Sequence, residues 1–195
     1  LPPVLLIHGA TVPAWEFDRL TPYLLAAGFR VLSADLFGHG YSARPKTLYS
    51  HELFVRQFGE LLGALDIERP AAVIGHSLGA AIAARLAYLY PEDIGALILA
   101  APLWDFTSNT RPARLLNVPL LGEALMPTYV LPMLRKRRQR RYQPIEDGRF
   151  VEKFYRQLAL PGFGRALLSL FRAGSLGNQA DCYARLSSTH HPVMV

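Results

Sequence analysis

The first hundred residues alternate between short apolar runs and longer segments in which apolar residues recur every three or four positions. The short runs cover residues 4–7, 29–34, 71–74 and 96–100, and they have the length and composition of buried strands. The intervening segments have the spacing of amphipathic helices. Strands that alternate with helices predict an α/β fold, with a mostly parallel sheet and helices on both faces.

The helix predicted from about Leu78 to Tyr90 has small apolar side chains on nearly every face. It contains five alanines and Gly79. Because a helix that is apolar all round is typical of a protein interior, we expect this one to pack closely against the sheet.

The pattern changes after Pro102, because roughly 85 residues pass without a strand-like run. Prolines at positions 112, 119, 127, 132, 144 and 161 predict that this stretch is cut into short helices. The strand pattern resumes at Pro192. We therefore predict a core over residues 1–104, an inserted helical cap over residues 105–188, and the start of the next core strand over residues 189–195.

The composition fits a single globular domain and excludes several other classes. Hydrophobic residues make up 51% of the 195 residues and charged residues 18%, which is not the balance of a disordered chain. No apolar run is long enough for a membrane-spanning helix. The lone cysteine, Cys182, has no internal disulfide partner, so the sequence is compatible with a reducing compartment such as the cytoplasm.

The net charge of +6 comes from one local basic run. Its members are Arg135, Lys136, Arg137, Arg138, Arg140 and Arg141. Without them the chain has 15 basic and 15 acidic residues. A solvated helix face, an attraction to an acidic substrate and a peripheral contact with an anionic membrane all remain open for this run. We expect no nucleic-acid partner, because aromatic residues do not interleave with the basic ones.

The segment Gly75-His76-Ser77-Leu78-Gly79 stands between a predicted strand and the small-residue helix. It has the pattern G-x-S-x-G of a nucleophile elbow. In such a turn the serine adopts a strained backbone conformation, and the glycines leave room for close backbone approach. The Ser77 hydroxyl would then project over the positive end of the helix dipole. We interpret Ser77 as a candidate nucleophile.

A His-Gly turn follows the first strand at its carboxyl end, the edge at which open parallel sheets bind ligands. The backbone N–H of Ala10 in this turn and that of Leu78 in the elbow are candidate donors to a developing oxyanion. A glycine-rich loop from Asp35 to Ser42 closes the second strand.

Together these features resemble the α/β-hydrolase family, in its branch with a helical cap. The shared features are the His-Gly turn, the loop Asp35-x-x-Gly-x-Gly-x-Ser, the elbow around Ser77 and the step Pro91-Glu92. The resemblance covers residues 1 to about 105 and resumes at Pro192. It implies an esterase-like or lipase-like serine hydrolase that cleaves a small hydrophobic ester or related carbonyl compound through an acyl-enzyme, without a metal or organic cofactor.

Two alternatives to ester hydrolysis stay open. One is a hydrolase that cleaves a carbon–carbon bond, and the other is a non-catalytic protein that uses this fold for binding or regulation. A serine at the elbow argues against haloalkane dehalogenase or epoxide hydrolase chemistry, since the enzymes of this fold use an aspartate there.

The resemblance places the catalytic acid after the family's seventh strand and the catalytic histidine after the eighth. The sequence ends at Val195, inside the strand that corresponds to the family's seventh. We therefore interpret the sequence as a fragment lacking both ends and expect the catalytic acid and the catalytic histidine to be missing from it. Without these two residues the fragment itself would be inactive. Asp105 is an alternative acid, because some family members take theirs from just after the sixth strand. Of the histidines present, His39 is expected to brace a loop and His8 to order the oxyanion turn.

The predicted cap is rich in large apolar residues that are candidates for an acyl pocket. We assign Trp104, Met126 and Tyr129 to the substrate pocket. Further candidates, most of them expected in the cap core, are Phe106, Met133, Phe154, Tyr155, Phe163 and Phe171.

Overall fold

The computed structural model describes residues 1–107, 111–142 and 148–195. The side chains of residues 111–113, 141 and 142 also lie outside the described part.

A five-stranded parallel sheet forms the centre of the molecule. Its strands are β1 (Pro3–Ile7), β2 (Arg30–Ser33), β3 (Ala72–His76), β4 (Leu97–Ala100) and β5 (Val193–Met194). They lie in the order β2-β1-β3-β4-β5, and every pair is parallel. The sequence predicted β1 to β4 to within two residues at either end and placed the last strand within residues 189–195, and the predicted α/β class is confirmed.

Side chains of β1 alternate between the two faces of the sheet, as the period of two in a strand requires. Leu5 and Ile7 belong to the larger apolar cluster, with helices α2 (His51–Ala64) and α3 (Leu78–Leu89). Val4 and Leu6 belong to a smaller cluster on the opposite face. Because both faces are covered by apolar side chains, the strand reads as an uninterrupted hydrophobic run.

The smaller cluster is completed by Leu20 and Leu24, next to and within helix α1 (Thr21–Ala26). Helices therefore cover both faces of the sheet, as predicted. Helix α3 contacts β3, β4 and β1, and its alanines from Ala80 to Ala87 are completely buried. Their small size permits this close approach of helix and sheet.

The described residues between β4 and β5 are mainly helical and are called the helical segment below. Its described helices are α4 (Arg111–Leu116), α5 (Leu121–Leu125), α6 (Leu131–Tyr142), α7 (Arg149–Ala159), α8 (Phe163–Arg172) and α9 (Ala180–Ala184). None of the helices in the described ranges is long and apolar enough to cross a bilayer.

The prediction that prolines cut this segment is wrong at two positions. A π-helical turn, Met126–Val130, contains Pro127 and joins α5 directly to α6, whose second residue is Pro132. A proline is tolerated where its missing N–H would have no helical partner. The widened π turn restarts the hydrogen-bond pattern, so each proline stands near the beginning of a helical piece.

Candidate active site

Ser77 lies at the sharp turn between β3 and α3, in a conformation that only a few non-glycine residues adopt. Its φ and ψ angles are 53° and −114°. A Cβ atom at Gly79 would collide with the carbonyl groups of Ile7 and His8, and one at Gly75 would collide with the backbone of Gly79. The strain at Ser77 is thus held by backbone packing that only glycine permits on either side.

The backbone of Ser77 is fixed by hydrogen bonds to the last residue of β4 and to the loop that follows it. The N–H of Ser77 donates to the carbonyl oxygen of Ala100 at 3.1 Å, and the N–H of Leu103 donates to the Ser77 carbonyl at 3.1 Å. The Ser77 side chain is not enclosed, since the residue is half-buried and lines a cavity of about 570 Å³. Ser77 therefore borders a space that can hold a small molecule.

The turn after β1 lies directly beside Ser77. A Cβ atom added to Gly9 would be 3.3 Å from the Cβ atom of Ser77. Within the described residues, no acceptor is found for the backbone N–H of Ala10 or of Leu78. For Leu78 this follows from its place at the first turn of α3, where N–H groups have no partner inside the helix.

Two buried histidines hold this turn by bonds to backbone groups. His8 accepts a hydrogen bond at Nε2 from Leu36 N–H at 2.8 Å and donates from Nδ1 to the Gly9 carbonyl at 2.8 Å. His39 donates from Nε2 to the Ala10 carbonyl at 2.8 Å. Burial lowers the pKa of His39, and lowers that of His8 well below the usual value. His39 Nδ1 also lies 3.1 Å from the Phe37 carbonyl oxygen, so both rings hold backbone groups, as the sequence interpretation expected of them.

Glu16 joins the turn after β1 to the elbow, a contact that the sequence gave no signal for. Its Oε2 accepts a hydrogen bond from Gly9 N–H at 3.0 Å. Its Oε1 lies 2.8 Å from His76 Nδ1, at an angle outside hydrogen-bond geometry. The carboxylate thus sits between the two backbone segments that flank Ser77.

Asp35 braces the glycine-rich loop. One carboxylate oxygen accepts from Ala14 N–H and the other from Tyr41 N–H, both at 2.9 Å. A Cβ at Gly40 would collide with this carboxylate. Both carboxylate oxygens of Asp35 are thus used to hold loops.

The cavity has an apolar interior and a cationic side. Its lining residues include Leu103, Phe106, Val130, Met133, Leu134, Leu167, Phe171 and Leu176, with Glu16, His76, Arg137, Arg138 and Arg140. The assignment of Trp104, Met126 and Tyr129 to this pocket is corrected, because none of them lines it. Trp104 and Tyr129 are exposed, and Trp104 stacks on Tyr183. Met126 is buried and lines a different cavity.

The helical spacing of the lining residues is the sequence feature from which they could have been identified. Val130, Met133, Leu134 and Arg137 stand three or four positions apart, on one face of the helix that enters α6. The sequence does not show which face of an inserted helix points to the sheet. Of the further aromatic and methionine candidates, Phe106, Met133 and Phe171 do line the cavity, whereas Phe154 and Phe163 are fully buried.

Asp105 and the two histidines before β5 lie apart from this cavity. Asp105 accepts a hydrogen bond from Thr107 N–H at 3.0 Å and does not line the cavity. His190 and His191 precede β5, at the amino end of the sheet, whereas Ser77 is at the carboxyl end. Within the basic run, Arg135 lies over the ring of Tyr155, 4.3 Å from its centre. The side chain of Arg141 is outside the described residues.

Comparison with known proteins identifies the fold of this chain. A family model described as "alpha/beta hydrolase fold" matches residues 2–161. An uncharacterized protein of Mycobacterium tuberculosis is 35% identical over 124 residues, which are 64% of this chain and 36% of that protein. A 2-hydroxymuconate semialdehyde hydrolase of Pseudomonas sp. is 39% identical over 100 residues, which are 50% of this chain and 35% of that enzyme. The matches span only about a third of these curated relatives.

Among solved structures, a mutant of a candidate epoxide hydrolase from Pseudomonas aeruginosa is similar to nearly the whole chain. Its TM-score is 0.77 at 28% sequence identity, and the match covers 98% of this chain and 70% of that one. The similarity extends past the strands into the helical segment that carries the cationic side of the cavity.

Proposed function

The chain belongs to the α/β-hydrolase fold family, and on this premise we propose that Ser77 is the nucleophile of a hydrolase that cleaves a carboxylic ester or related carbonyl substrate through an acyl-enzyme. The observation that carries this proposal is the strained Ser77, open to the cavity, with the uncommitted N–H groups of Ala10 and Leu78 on the segments that meet beside it. This is the combination of nucleophile and oxyanion donors that acyl transfer requires.

In the proposed mechanism a general base takes the Ser77 proton as Oγ attacks the substrate carbonyl carbon. The negative charge moves to the carbonyl oxygen, where the Ala10 and Leu78 N–H groups and the positive end of α3 stabilise it. Collapse of this intermediate expels the leaving group, which takes the proton from the base. Water, activated by the same base, then attacks the acyl-enzyme and releases the acid and free Ser77.

The base is expected from the rest of the protein. Among the described histidines only His76 lines the cavity, and its Nδ1 faces Glu16. His8 and His39 do not line the cavity, and both nitrogens of each ring face backbone groups, so neither ring is placed to accept the Ser77 proton. The catalytic acid remains a prediction as well, with Asp105 as the candidate within this sequence.

We assign the helical segment, residues 105–188, as a cap that shields the reaction site from solvent. Support comes from the cavity, since α6 and α8 supply Met133, Leu134 and Leu167 opposite Ser77. A small apolar acyl chain fits such a lining. The chain's own residues suffice for nucleophile and oxyanion site, so the proposal involves no metal or organic cofactor.

Carbon–carbon bond hydrolysis is the second candidate. It is favoured by the 39% identity to an enzyme named 2-hydroxymuconate semialdehyde hydrolase. Epoxide hydrolysis, suggested by the name of one related structure, is less suited to this elbow, because the proposal takes a serine and not an aspartate as nucleophile.

The test is pre-steady-state hydrolysis of p-nitrophenyl hexanoate by the full-length protein. We expect a burst of p-nitrophenol equal to the enzyme concentration, an acyl group mapped to Ser77 by mass spectrometry, and loss of both in Ser77→Ala. Ser187→Ala, which changes an exposed serine of the helical segment, is the matched control and should keep both. Turnover by Ser77→Ala at the native rate would overturn the nucleophile. Ligand binding without any acylation would favour the non-catalytic alternative.

A further inference from the structure

Three arginines of one helix line the same cavity as Ser77. They are Arg137, Arg138 and Arg140 of α6. The apolar Val130, Met133 and Leu134 line the cavity one and two turns earlier along the same helical run. One helix thus presents an apolar surface and then a cationic surface to the space beside Ser77.

Arg138 is the most firmly held of the three. It is half-buried, donates from Nη2 to Thr11 Oγ1 at 3.0 Å, and lies over the ring of Phe154, 5.4 Å from its centre. Thr11 is the residue after the candidate oxyanion donor Ala10. Arg138 therefore fixes the basic end of α6 directly over the turn that would receive the reacting carbonyl.

Arg137 and Arg140 are exposed at the cavity. Within the described residues, neither has a hydrogen bond or ion pair to an acidic side chain. Among the described lining residues the one carboxylate is Glu16, whose oxygens already face Gly9 N–H and His76. Among the described residues, the charges of Arg137 and Arg140 therefore have no acidic partner.

We propose that this arginine cluster binds an anionic group of the substrate, a carboxylate or a phosphate, while the apolar lining holds the chain that connects it to the reacting carbonyl. Guanidinium groups suit both anions, because their N–H donors match paired oxygens and keep their charge at all working pH values. This inference rests on the proposed hydrolase function and narrows its substrate from neutral esters to acidic ones.

The kinetic test compares p-nitrophenyl hydrogen adipate with its neutral methyl ester, using the full-length protein. We expect kcat/KM to favour the acidic substrate by about tenfold or more at low salt. The variant Arg137→Gln/Arg140→Gln should lose most of this preference, chiefly through KM, because binding charge is removed and the reacting groups are not.

The matched control is Arg135→Gln/Lys136→Gln. It removes the same charge from the same helix at residues that do not line the cavity. We expect the substrate preference of this control to stay within about twofold of the native value. An equal loss of substrate preference in both double variants would overturn the inference, because the preference would then come from the electrostatic field of the whole basic run. Equal rates for the acidic and neutral esters in the native protein would overturn it as well.

A binding experiment separates failure of this inference from failure of the hydrolase proposal. Calorimetry with hexanoate, hexyl phosphate and hexanol should show tighter binding of at least one anion, weakened in Arg137→Gln/Arg140→Gln only. That result without ester turnover would support the anion site and refute the hydrolase proposal. The anion that binds more tightly identifies the substrate group as a carboxylate or a phosphate. No anion preference refutes the site, whatever the turnover.

Vesicles containing phosphatidylserine test the membrane alternative for the basic run. If both double variants reduce cosedimentation of the protein with these vesicles equally and leave the substrate preference unchanged, the basic run is a membrane contact and the inference is overturned.

Discussion

His39 donates a hydrogen bond from Nε2 to the carbonyl oxygen of Ala10 across 2.8 Å, joining two loops that are 29 residues apart in sequence. The bond fixes the peptide group that precedes Thr11 and, with His8, the direction of the turn beside Ser77. His39 itself packs edge-on against the rings of His8 and Phe163. A residue of the second loop thus controls where the first loop aims its N–H groups.

Replacement of His39 by phenylalanine should lower kcat by about tenfold with little change in KM. The aromatic ring is kept, but the donor to Ala10 is lost, so the candidate oxyanion donor becomes less well positioned; loss of a whole oxyanion donor costs about a hundredfold or more. Steady-state hydrolysis of p-nitrophenyl hexanoate measures both constants. His190→Phe, at the opposite end of the sheet, is the control and should behave as the native protein. A change confined to KM would show that His39 shapes the pocket instead.

Glu16 is expected to act as a positioning residue through its contact with Gly9. Glu16→Ala should reduce kcat about tenfold, because Gly9 N–H loses its acceptor beside Ser77. Glu16→Gln should restore most of the activity, since its amide oxygen can accept the same bond. Full activity in Glu16→Ala, or no recovery in Glu16→Gln, would argue against this role. Glu60→Ala, which removes the same charge from the exposed side of α2, is the control and should keep the native kcat.

The close approach of Gly79 to β1 predicts opposite outcomes for two glycine-to-alanine changes. Gly79→Ala should lower the free energy of unfolding by about 2–3 kcal/mol, because the new methyl group meets the Ile7 and His8 carbonyls. Gly59→Ala, on the exposed face of α2 with open space around it, should raise it by about 0.5–1 kcal/mol. Urea unfolding monitored by circular dichroism distinguishes the two, and a neutral Gly79→Ala would contradict the packing of the elbow.

Buried histidines predict a loss of stability below neutral pH. Burial lowers the pKa of His51 from 6.5 to about 4, so the unfolded chain binds a proton that the folded protein excludes. The stability is fully present above pH 6.5 and is lost as the pH falls from 6.5 towards 4. For His51 this amounts to about 2 kcal/mol between pH 7 and pH 5, and the lowered pKa values of His8 and His39 act in the same direction.

His51→Gln should therefore reduce the difference in unfolding free energy between pH 7 and pH 5 by about 2 kcal/mol. The comparison uses the pH dependence and not the absolute stability, so a general destabilisation by the substitution does not affect it. His190→Gln, which changes an exposed histidine, should retain the native difference. An unchanged pH dependence in His51→Gln would contradict the burial of His51.

The sheet and the elbow were predictable from sequence because local patterns determine them. The runs around Leu5 and Val73 are apolar on both faces, which at this length and with flanking turn residues is typical of strands buried between two helical layers. The elbow at Ser77 was predictable because its two glycines are required by backbone contacts that side chains cannot replace.

The cavity lining was not predictable in the same way. Whether Met126 or Met133 faces Ser77 depends on the rotation of a long helical run, and the π turn at Met126–Val130 changes that rotation. Nor does sequence show that Arg138 reaches Thr11, a residue 127 positions away. Long-range contacts of single side chains determine which residues line the pocket, whereas periodic patterns in the sequence determine where the helices and strands form.

The most direct test of the account is labelling of the full-length protein with a fluorophosphonate probe, followed by mapping of the modified residue. An activated serine beside an oxyanion site reacts covalently with such a probe. We predict stoichiometric modification at Ser77, slowed by substrate and abolished in Ser77→Ala. A native, folded protein that stays unlabelled, or that is labelled at another residue, would contradict the assignment of Ser77 as the nucleophile.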